Sequence, residues 1–208
     1  MADYHIYLVT DTDCLDGRDL FTAVEEALQG GVTLVQYRSK ATDGGVMYTE
    51  ALGLKQLCDR YAVPLIINDR LDVAMAVGAA GVHLGQDDLP CAVARKILGP
   101  DYIIGVSAHN PQEARQAVAD GADYLGCGAV FGSATKHNVQ TLGVNGLAAI
   151  RQAVEVPMVG IGGVKLENYD QVLATGADGA AIISGILGAA DIRQQVEAFQ
   201  RLYQAARF

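Results

Sequence analysis

Eight short apolar segments, each followed by a polar or glycine-rich cluster, constrain the fold of this chain more than any other feature. Segments that are almost continuously apolar are typical of strands with both faces buried, as in a parallel sheet. The predicted strands are His5–Thr10, Thr33–Arg38, Val63–Ile67, Gly81–Leu84, Tyr102–Val106, Tyr124–Gly128, Met158–Ile161 and Ala180–Ser184. Helical patterns follow them at Leu20–Gln29, Val46–Tyr61, Leu71–Gly78, Cys91–Leu98, Gln112–Ala119, Val144–Val154, Glu167–Thr175 and Ile192–Ala206.

The same glycine-containing pattern recurs at several predicted helix ends. Four glycine-containing tetrapeptides are each expected to close a helix and start the next strand, because glycine adopts the left-handed conformation of a helix C-terminal cap. Asn110 precedes Pro111 and lies three residues before Glu113, which predicts a capped helix start. The four tetrapeptides are Gln29-Gly30-Gly31-Val32, Ala79-Ala80-Gly81-Val82, Asp120-Gly121-Ala122-Asp123 and Thr175-Gly176-Ala177-Asp178.

Eight strand–helix units in 208 residues predict an α/β protein with one domain, residues 1–208, folded as a compact (βα)8 TIM barrel. The active site is then expected at the C-terminal rim of the strands. The alternative is an open doubly wound sheet, but no G-x-G-x-x-G motif follows the first strand.

The composition of the chain argues against several classes of function. The formal net charge is -9, from 15 basic and 24 acidic residues, and no basic stretch is present, which argues against nucleic-acid binding. The four cysteines are scattered without a C-x-x-C pair, so reduced thiols are expected. The N-terminus lacks the pattern of a signal peptide, and no apolar run approaches the roughly 20 residues of a membrane span. A soluble, cytoplasmic protein is expected.

Gln36, Arg38 and Lys40 end the second predicted strand. Alternation along the strand places all three on the same side. An amide, a guanidinium and an ammonium group on one side suit an anionic ligand rich in heteroatoms. The alternative is a solvated strand end with two surface cations.

Asp69 and Asp88 follow the third and fourth predicted strands. In a barrel these strand ends are neighbours, so the two carboxylates could bind one Mg²⁺, which one or two carboxylates usually hold together with waters and substrate phosphates. The alternative is helix capping, since Asp69 precedes a helix and Asp88 lies two residues before Pro90.

Three further segments favour phosphate binding. Ser133-Ala134-Thr135-Lys136 lies in a long loop between Gly132 and Gly143, which could close over a phosphorylated ligand. Gly160–Gly163 and Ile183–Gly185 follow strands seven and eight, where barrel enzymes commonly bind phosphate through backbone N–H groups. The alternative for the last two segments is tight turns with positive φ.

Ser107 and His109 do not form a convincing nucleophile and base, because no third orienting acid is evident. Ser107 is expected to contact a ligand, whereas His109 is expected to be structural. Cys127 is interpreted as a small core residue, and His83 as packed and hydrogen-bonded.

Taken in order, these motifs resemble the thiamine-phosphate synthase (thiamine-phosphate pyrophosphorylase) family, small (βα)8 enzymes. The resemblance runs from Tyr7-Leu8-Val9-Thr10-Asp11 to Ile182-Ile183-Ser184, nearly the whole chain. The motifs between them are Gln36–Lys40, Ile66–Arg70, Val82–Asp88, Gly105–His109, Gly121–Tyr124, Thr135-Lys136 and Gly160–Gly163.

The resemblance implies a cytoplasmic, alkyl-transferring transferase that joins a hydroxymethylpyrimidine diphosphate to a thiazole phosphate, with Mg²⁺, giving thiamine phosphate and pyrophosphate. Arg38, Lys40 and Lys136 would be catalytic, and Asp69 and Asp88 would bind the metal. The pyrimidine diphosphate would be held by Gln36, Arg38, Lys40, Asn68, Ser107 and Lys136. The thiazole phosphate would be held by Ser133, Thr135, Gly163, Ile183 and Ser184.

Two positions depart from the family pattern. Ser133 replaces the usual Thr and keeps the hydroxyl, while Tyr37 replaces a more usual aliphatic residue and is expected to change packing. Three rival functions remain: a related thiazole tautomerase, a non-catalytic binder of thiamine precursors, and a phosphate-binding barrel of another pathway. The intact set of cations and carboxylates favours the transferase. The expected partners are small phosphorylated substrates, without nucleic acid or membrane, and a homo-oligomer is compatible with the sequence.

Overall fold

A computed structural model describes residues 2–39, 43–132 and 141–207. Eight parallel strands close into a barrel in sequence order, β1 to β8, so the (βα)8 TIM-barrel prediction is confirmed. The strands are β1 (Ile6–Val9), β2 (Leu34–Tyr37), β3 (Leu65–Asn68), β4 (Gly81–Leu84), β5 (Ile103–Ala108), β6 (Tyr124–Gly128), β7 (Met158–Ile161) and β8 (Gly179–Ile182).

Helices connect the strands and surround the barrel. They are α1 (Leu20–Gly30), α2 (Gly44–Arg60), α3 (Leu71–Val77), α4 (Cys91–Leu98), α5 (Pro111–Ala119), α6 (Gly143–Arg151), α7 (Tyr169–Leu173), α8 (Ser184–Leu187) and α9 (Ile192–Arg207). A 3₁₀ helix, Thr12–Cys14, follows β1. Over the described ranges, no helix combines the length and the apolar character needed to cross a membrane.

Alternation along each strand divides the buried side chains into two cores. Outward-facing residues such as Leu8 and Ile67 pack against the helices in the larger core. Inward-facing residues, including Tyr7, Ile66 and Tyr124, form a smaller core inside the barrel. Positions that continue the inward series at the C-terminal ends of the strands therefore converge at the mouth of the barrel.

Several predicted boundaries need correction. β8 ends at Ile182, and Ser184 begins the short helix α8 rather than ending a strand. Gly78, with φ 63°, is the left-handed cap of α3, whereas Gly81 is already the first residue of β4. The Asn110 cap is confirmed, because its side chain accepts a hydrogen bond from the backbone N–H of Glu113 at 2.9 Å.

A substitution at Gly81 tests how closely the neighbouring strands β4 and β5 approach each other. A methyl group added there would overlap the backbone carbonyl oxygen of Ile103 on the neighbouring strand β5. We expect Gly81→Ala to lower the free energy of unfolding by about 1–3 kcal/mol, the usual cost of overpacking, in urea denaturation. Gly45→Ala is the matched control, since Gly45 lies in helix α2 with open space around it. Equal stability of the two variants would contradict the close approach of β4 and β5.

Candidate active site at the mouth of the barrel

A cavity of about 180 Å³ opens at the C-terminal ends of the strands. Residues of several strands, which alternation predicts to face the barrel interior, contribute to its wall. The predicted site residues on this wall are Gln36, Arg38, Asn68, Ser107 and Ile183. The structure therefore brings together five positions that lie far apart in the sequence.

Arg38 follows β2 and is braced from β1. The hydroxyl of Thr10 donates to the Arg38 carbonyl at 3.0 Å and accepts from the Arg38 backbone N–H at 2.9 Å. The Arg38 Nη1 donates to Oδ2 of the buried Asp11 at 3.0 Å. Because a guanidinium carries five N–H donors, this ion pair orients Arg38 and leaves it with further capacity for an anion.

Asp69 and Asp88 lie side by side at the ends of β3 and β4, with their carboxyl groups within hydrogen-bonding distance. The Asp69 backbone N–H donates to the His83 carbonyl at 2.9 Å, and Asp88 Oδ2 accepts from the Gly85 N–H at 2.7 Å. Burial, and then the hydrogen bond and charge of Asp88, raise the pKa of Asp69 to about 6, while the charge of Arg38 opposes this rise. The three charged groups therefore share one electrostatic site.

The helix-capping interpretation of these two carboxylates is wrong. The cap positions of α3 and α4 are Arg70 and Pro90, and neither helix has a side-chain cap hydrogen bond. Asp69 instead adopts φ 60°, a left-handed conformation uncommon outside glycine, asparagine and aspartate. Two carboxylates held close together are a donor set that fits Mg²⁺, which prefers hard oxygen ligands.

The segments after β7 and β8 pack against each other beside the cavity. Gly163, with φ 68°, approaches the backbone so closely that a methyl group there would overlap the Phe131 carbonyl oxygen. A methyl group at Gly185 would overlap the Val164 carbonyl oxygen. The glycines thus bring Gly163 and the start of α8, where Ile183 and Ser184 lie, into one region.

Four predicted site residues lie outside the described residues. They are Lys40, Ser133, Thr135 and Lys136. Their proximity to the cavity stays a prediction.

Several residues at this mouth were not predicted from the sequence to contribute to the site. Asp11 ends the motif Tyr7–Asp11, which gave its side chain no role, yet it holds Arg38. Tyr7 lines the cavity from within an apolar run, and although it begins one of the motifs of the resemblance, that motif gave its side chain no role. His109 also reaches the wall, and its Nδ1 lies 2.8 Å from Glu113 Oε2. The expected hydrogen bonding of His83 is confirmed, with Ser107 Oγ 3.0 Å from its Nε2.

Tyr37 faces away from the cavity, as its alternation with Gln36 and Arg38 predicted. Its side chain is buried in the outer core, and its hydroxyl donates to Glu50 Oε2 at 2.5 Å. Burial, reinforced by this carboxylate, raises the pKa of Tyr37 to about 12, so the hydroxyl remains a donor at neutral pH. The substitution in the family pattern therefore alters packing against α2 rather than the cavity wall.

Comparison with known proteins gives a consistent result. The family model described as thiamine monophosphate synthase matches residues 6–186. The chain is 49% identical to the thiamine-phosphate synthase of Clostridium acetobutylicum over 194 residues, which cover 93% of this chain and 92% of that protein. It is also 49% identical to the thiamine-phosphate synthase of Chloroflexus aurantiacus over 193 residues, covering 92% and 89%.

A solved structure agrees with this assignment. The thiamine phosphate pyrophosphorylase from Pyrococcus furiosus superposes with a TM-score of 0.91 at 38% identity, covering 99% of this chain and 98% of that chain. The sequence match extends over both the strands of the barrel and the residues that line its mouth. This chain therefore belongs to the thiamine monophosphate synthase family and is an enzyme of the transferase class.

Proposed function

We propose that this enzyme joins 4-amino-5-hydroxymethyl-2-methylpyrimidine diphosphate to a thiazole phosphate, releasing pyrophosphate and forming thiamine phosphate. The observation that carries the proposal is the proximity of Arg38, which lies on the cavity wall, to the Asp69–Asp88 pair, since the charges of both Arg38 and Asp88 act on the Asp69 carboxyl group. A cation beside a carboxylate pair suits a diphosphate that arrives with a divalent metal. A site for a single phosphate would not need both groups.

The pyrimidine half of the substrate is assigned to the cavity wall. Gln36, Asn68 and Ser107 offer an amide, a second amide and a hydroxyl group, which suit the ring of an aminopyrimidine. Arg38 and, in our proposal, Lys40 and Lys136 bind the diphosphate. The thiazole phosphate is assigned to the segments after β6, β7 and β8, through Ser133, Thr135, Gly163, Ile183 and Ser184.

The proposed reaction is a dissociative substitution. The bond between the pyrimidine methylene carbon and the diphosphate oxygen breaks, and pyrophosphate departs with the electron pair. The amino group of the pyrimidine stabilises the resulting cation, and the thiazole nitrogen then forms the new C–N bond. Negative charge grows on the departing oxygen, so Arg38, Lys40 and Lys136 act mainly in the transition state.

Asp69 and Asp88 are the residues that would hold Mg²⁺, whose chemistry is to neutralise charge on the diphosphate. Asn68 supports them, since its Nδ2 donates to Asp69 Oδ2 at 2.6 Å. The reaction transfers no proton to or from carbon, so we assign no general base.

The direct test of the proposed function incubates the purified protein with both substrates and Mg²⁺ and quantifies thiamine phosphate and pyrophosphate. Product that requires both substrates and disappears with EDTA supports the transferase. If folded protein forms no product, the function proposed here is wrong, and isomerisation or binding of the thiazole phosphate alone identifies the tautomerase or the non-catalytic binder.

Asp69→Asn tests the metal role. Asparagine tolerates the left-handed backbone at this position but removes the charge, so we expect kcat to fall by about 10²-fold or more and binding of Mn²⁺, measured by electron paramagnetic resonance, to weaken. Asp72→Asn is the control, because Asp72 lies three residues away, is exposed and pairs with Arg70. Near-normal turnover and Mn²⁺ binding by Asp69→Asn would remove Asp69 from the site.

Asp11→Asn tests the orientation of Arg38. Asparagine can still accept the hydrogen bond that Asp11 takes from the Asp13 backbone N–H, while the ion pair with Arg38 is lost. We expect kcat to fall by about 10-fold, because the guanidinium is no longer held in position. KM for the pyrimidine diphosphate should not rise, because a negative charge near the anion has been removed. Unchanged kcat, with the exposed Asp16→Asn as control, would mean that the ion pair does not position Arg38.

A further inference from the structure

Five side chains form a continuous hydrogen-bonded chain across the interior of the barrel. Gln36 Nε2 donates to Tyr7 Oη at 2.6 Å, and Tyr7 Oη lies 2.7 Å from Tyr124 Oη. His83 Nδ1 lies 2.9 Å from Tyr124 Oη, and His83 Nε2 lies 3.0 Å from Ser107 Oγ. The chain thus connects β2, β1, β6, β4 and β5, and its two ends are residues of the cavity wall.

Tyr124 is the central member of this chain and the one member that does not line the cavity. Its side chain is fully buried among the inward-facing residues. The strands are built around it: a methyl group at Gly105, which pairs with Tyr124 in the sheet register, would overlap the tyrosine ring. At Gly126, the position after next along β6, a methyl group would lie 2.9 Å from the His83 ring. Both glycines therefore leave space for the hydrogen-bonded side chains.

The sense of the hydrogen bonds follows from counting protons. Tyr7 accepts from Gln36, so its single buried hydroxyl proton finds its acceptor in Tyr124. Tyr124 must then donate to His83 Nδ1, and Nε2–H donates to Ser107 Oγ. The opposite sense would leave the Tyr7 proton without an acceptor among the recorded bonds of the described residues, at a cost of about 1–3 kcal/mol.

Burial raises the pKa of both Tyr7 and Tyr124 above the ordinary value, so both hydroxyls keep their protons at neutral pH. Each hydrogen bond between two of the five side chains consequently has a single donor, and the direction of one such bond cannot reverse without the others. Turning over the Gln36 amide would require every proton in the chain to move as well.

We infer that Tyr124 is a positioning residue that fixes the donor and acceptor sense of Gln36 and Ser107, and that it thereby makes the site selective for a 4-aminopyrimidine over a 4-oxopyrimidine. This inference rests on the proposed function, because it concerns the pyrimidine diphosphate. With Nε2 engaged by Tyr7, Gln36 presents its Oε1 as an acceptor to the substrate. Ser107 accepts from His83, so its own hydroxyl proton is the donor it presents.

A 4-amino group donates to the Gln36 oxygen, and a ring nitrogen accepts from the Ser107 hydroxyl. A 4-oxo group would instead bring one acceptor against another at Gln36. Sites built around buried hydrogen bonds reject a mismatched analogue strongly, because the protein group is left unpaired. In Tyr124→Phe the Tyr7 hydroxyl loses its acceptor, and the Gln36 amide is free to turn and supply one.

The test measures binding of the 4-aminopyrimidine diphosphate and of its 4-oxo analogue by calorimetry with Mg²⁺. We expect the wild-type protein to prefer the amino compound by about 100-fold and Tyr124→Phe to reduce this preference to below about 10-fold. Tyr169→Phe is the matched control: Tyr169 is fully buried, donates to the His5 carbonyl at 2.6 Å and lies in the outer core. It should keep the full preference. An undiminished preference in folded Tyr124→Phe would overturn the inference.

A second measurement is made on the wild-type protein and needs no turnover. In the wild-type protein, ¹⁵N–¹H correlation spectra of the imidazole rings should show His83 with the proton on Nε2 and an unprotonated Nδ1, assigned by the resonance that His83→Gln removes. A proton on Nδ1 would overturn the inference. Binding and tautomer state thus test the role of Tyr124 even if no thiamine phosphate is formed, in which case the proposed function fails separately.

Discussion

Closure of eight parallel strands into a barrel is the constraint on which the rest of this structure depends. In a closed barrel, each strand has two neighbours, and the two-residue alternation decides whether a side chain faces the interior or the helices. The register places His83, Gly105 and Tyr124 in one row across β4, β5 and β6. Because Gly105 has no side chain, this row has room for the Tyr124 ring and for the hydrogen-bonded chain beneath the cavity.

The balance of charge at the mouth follows from the same closure. Asp11, Arg38, Asp69 and Asp88 follow four successive strands, and Arg38 lies between acidic residues only because the ends of those strands are adjacent. Arg38 is held by Asp11 on one side and attracts Asp69 on the other. One guanidinium among three carboxylates leaves an excess of negative charge, which matches our proposal that a divalent cation accompanies the diphosphate.

The fold could be predicted from the sequence because each strand and helix of the barrel has its own local sequence pattern. Apolar runs and capped helices are visible within a few residues, and the strands Gly81–Leu84, Tyr124–Gly128 and Met158–Ile161 agree with the structure at both ends. The end of β8 was wrong because Ile182-Ile183-Ser184 continues an apolar pattern. The turn there depends on the contact of Gly185 with Val164, which is remote in sequence.

The site was predictable where polar residues mark the ends of strands. Gln36, Arg38, Asn68 and Ser107 are polar residues at or just after strand ends, whereas Tyr7 and Tyr124, although they belong to motifs, are 117 residues apart inside apolar runs. Their hydrogen bond depends on closure of the barrel, which no local pattern reports. The pairing of Asp11 with Arg38 depends likewise on the register of Val9 with Gln36.

In our proposal, the mouth of the barrel binds a metal-bound diphosphate between Arg38 and the carboxylates of Asp69 and Asp88. The most direct measurement is a crystal structure of the wild-type protein with the pyrimidine diphosphate and Mn²⁺, in which anomalous scattering locates the ion. We expect one Mn²⁺ coordinated by Asp69, Asp88 and diphosphate oxygens, with Arg38 bound to the same diphosphate. A diphosphate bound elsewhere, or an ion that contacts neither carboxylate, would contradict it.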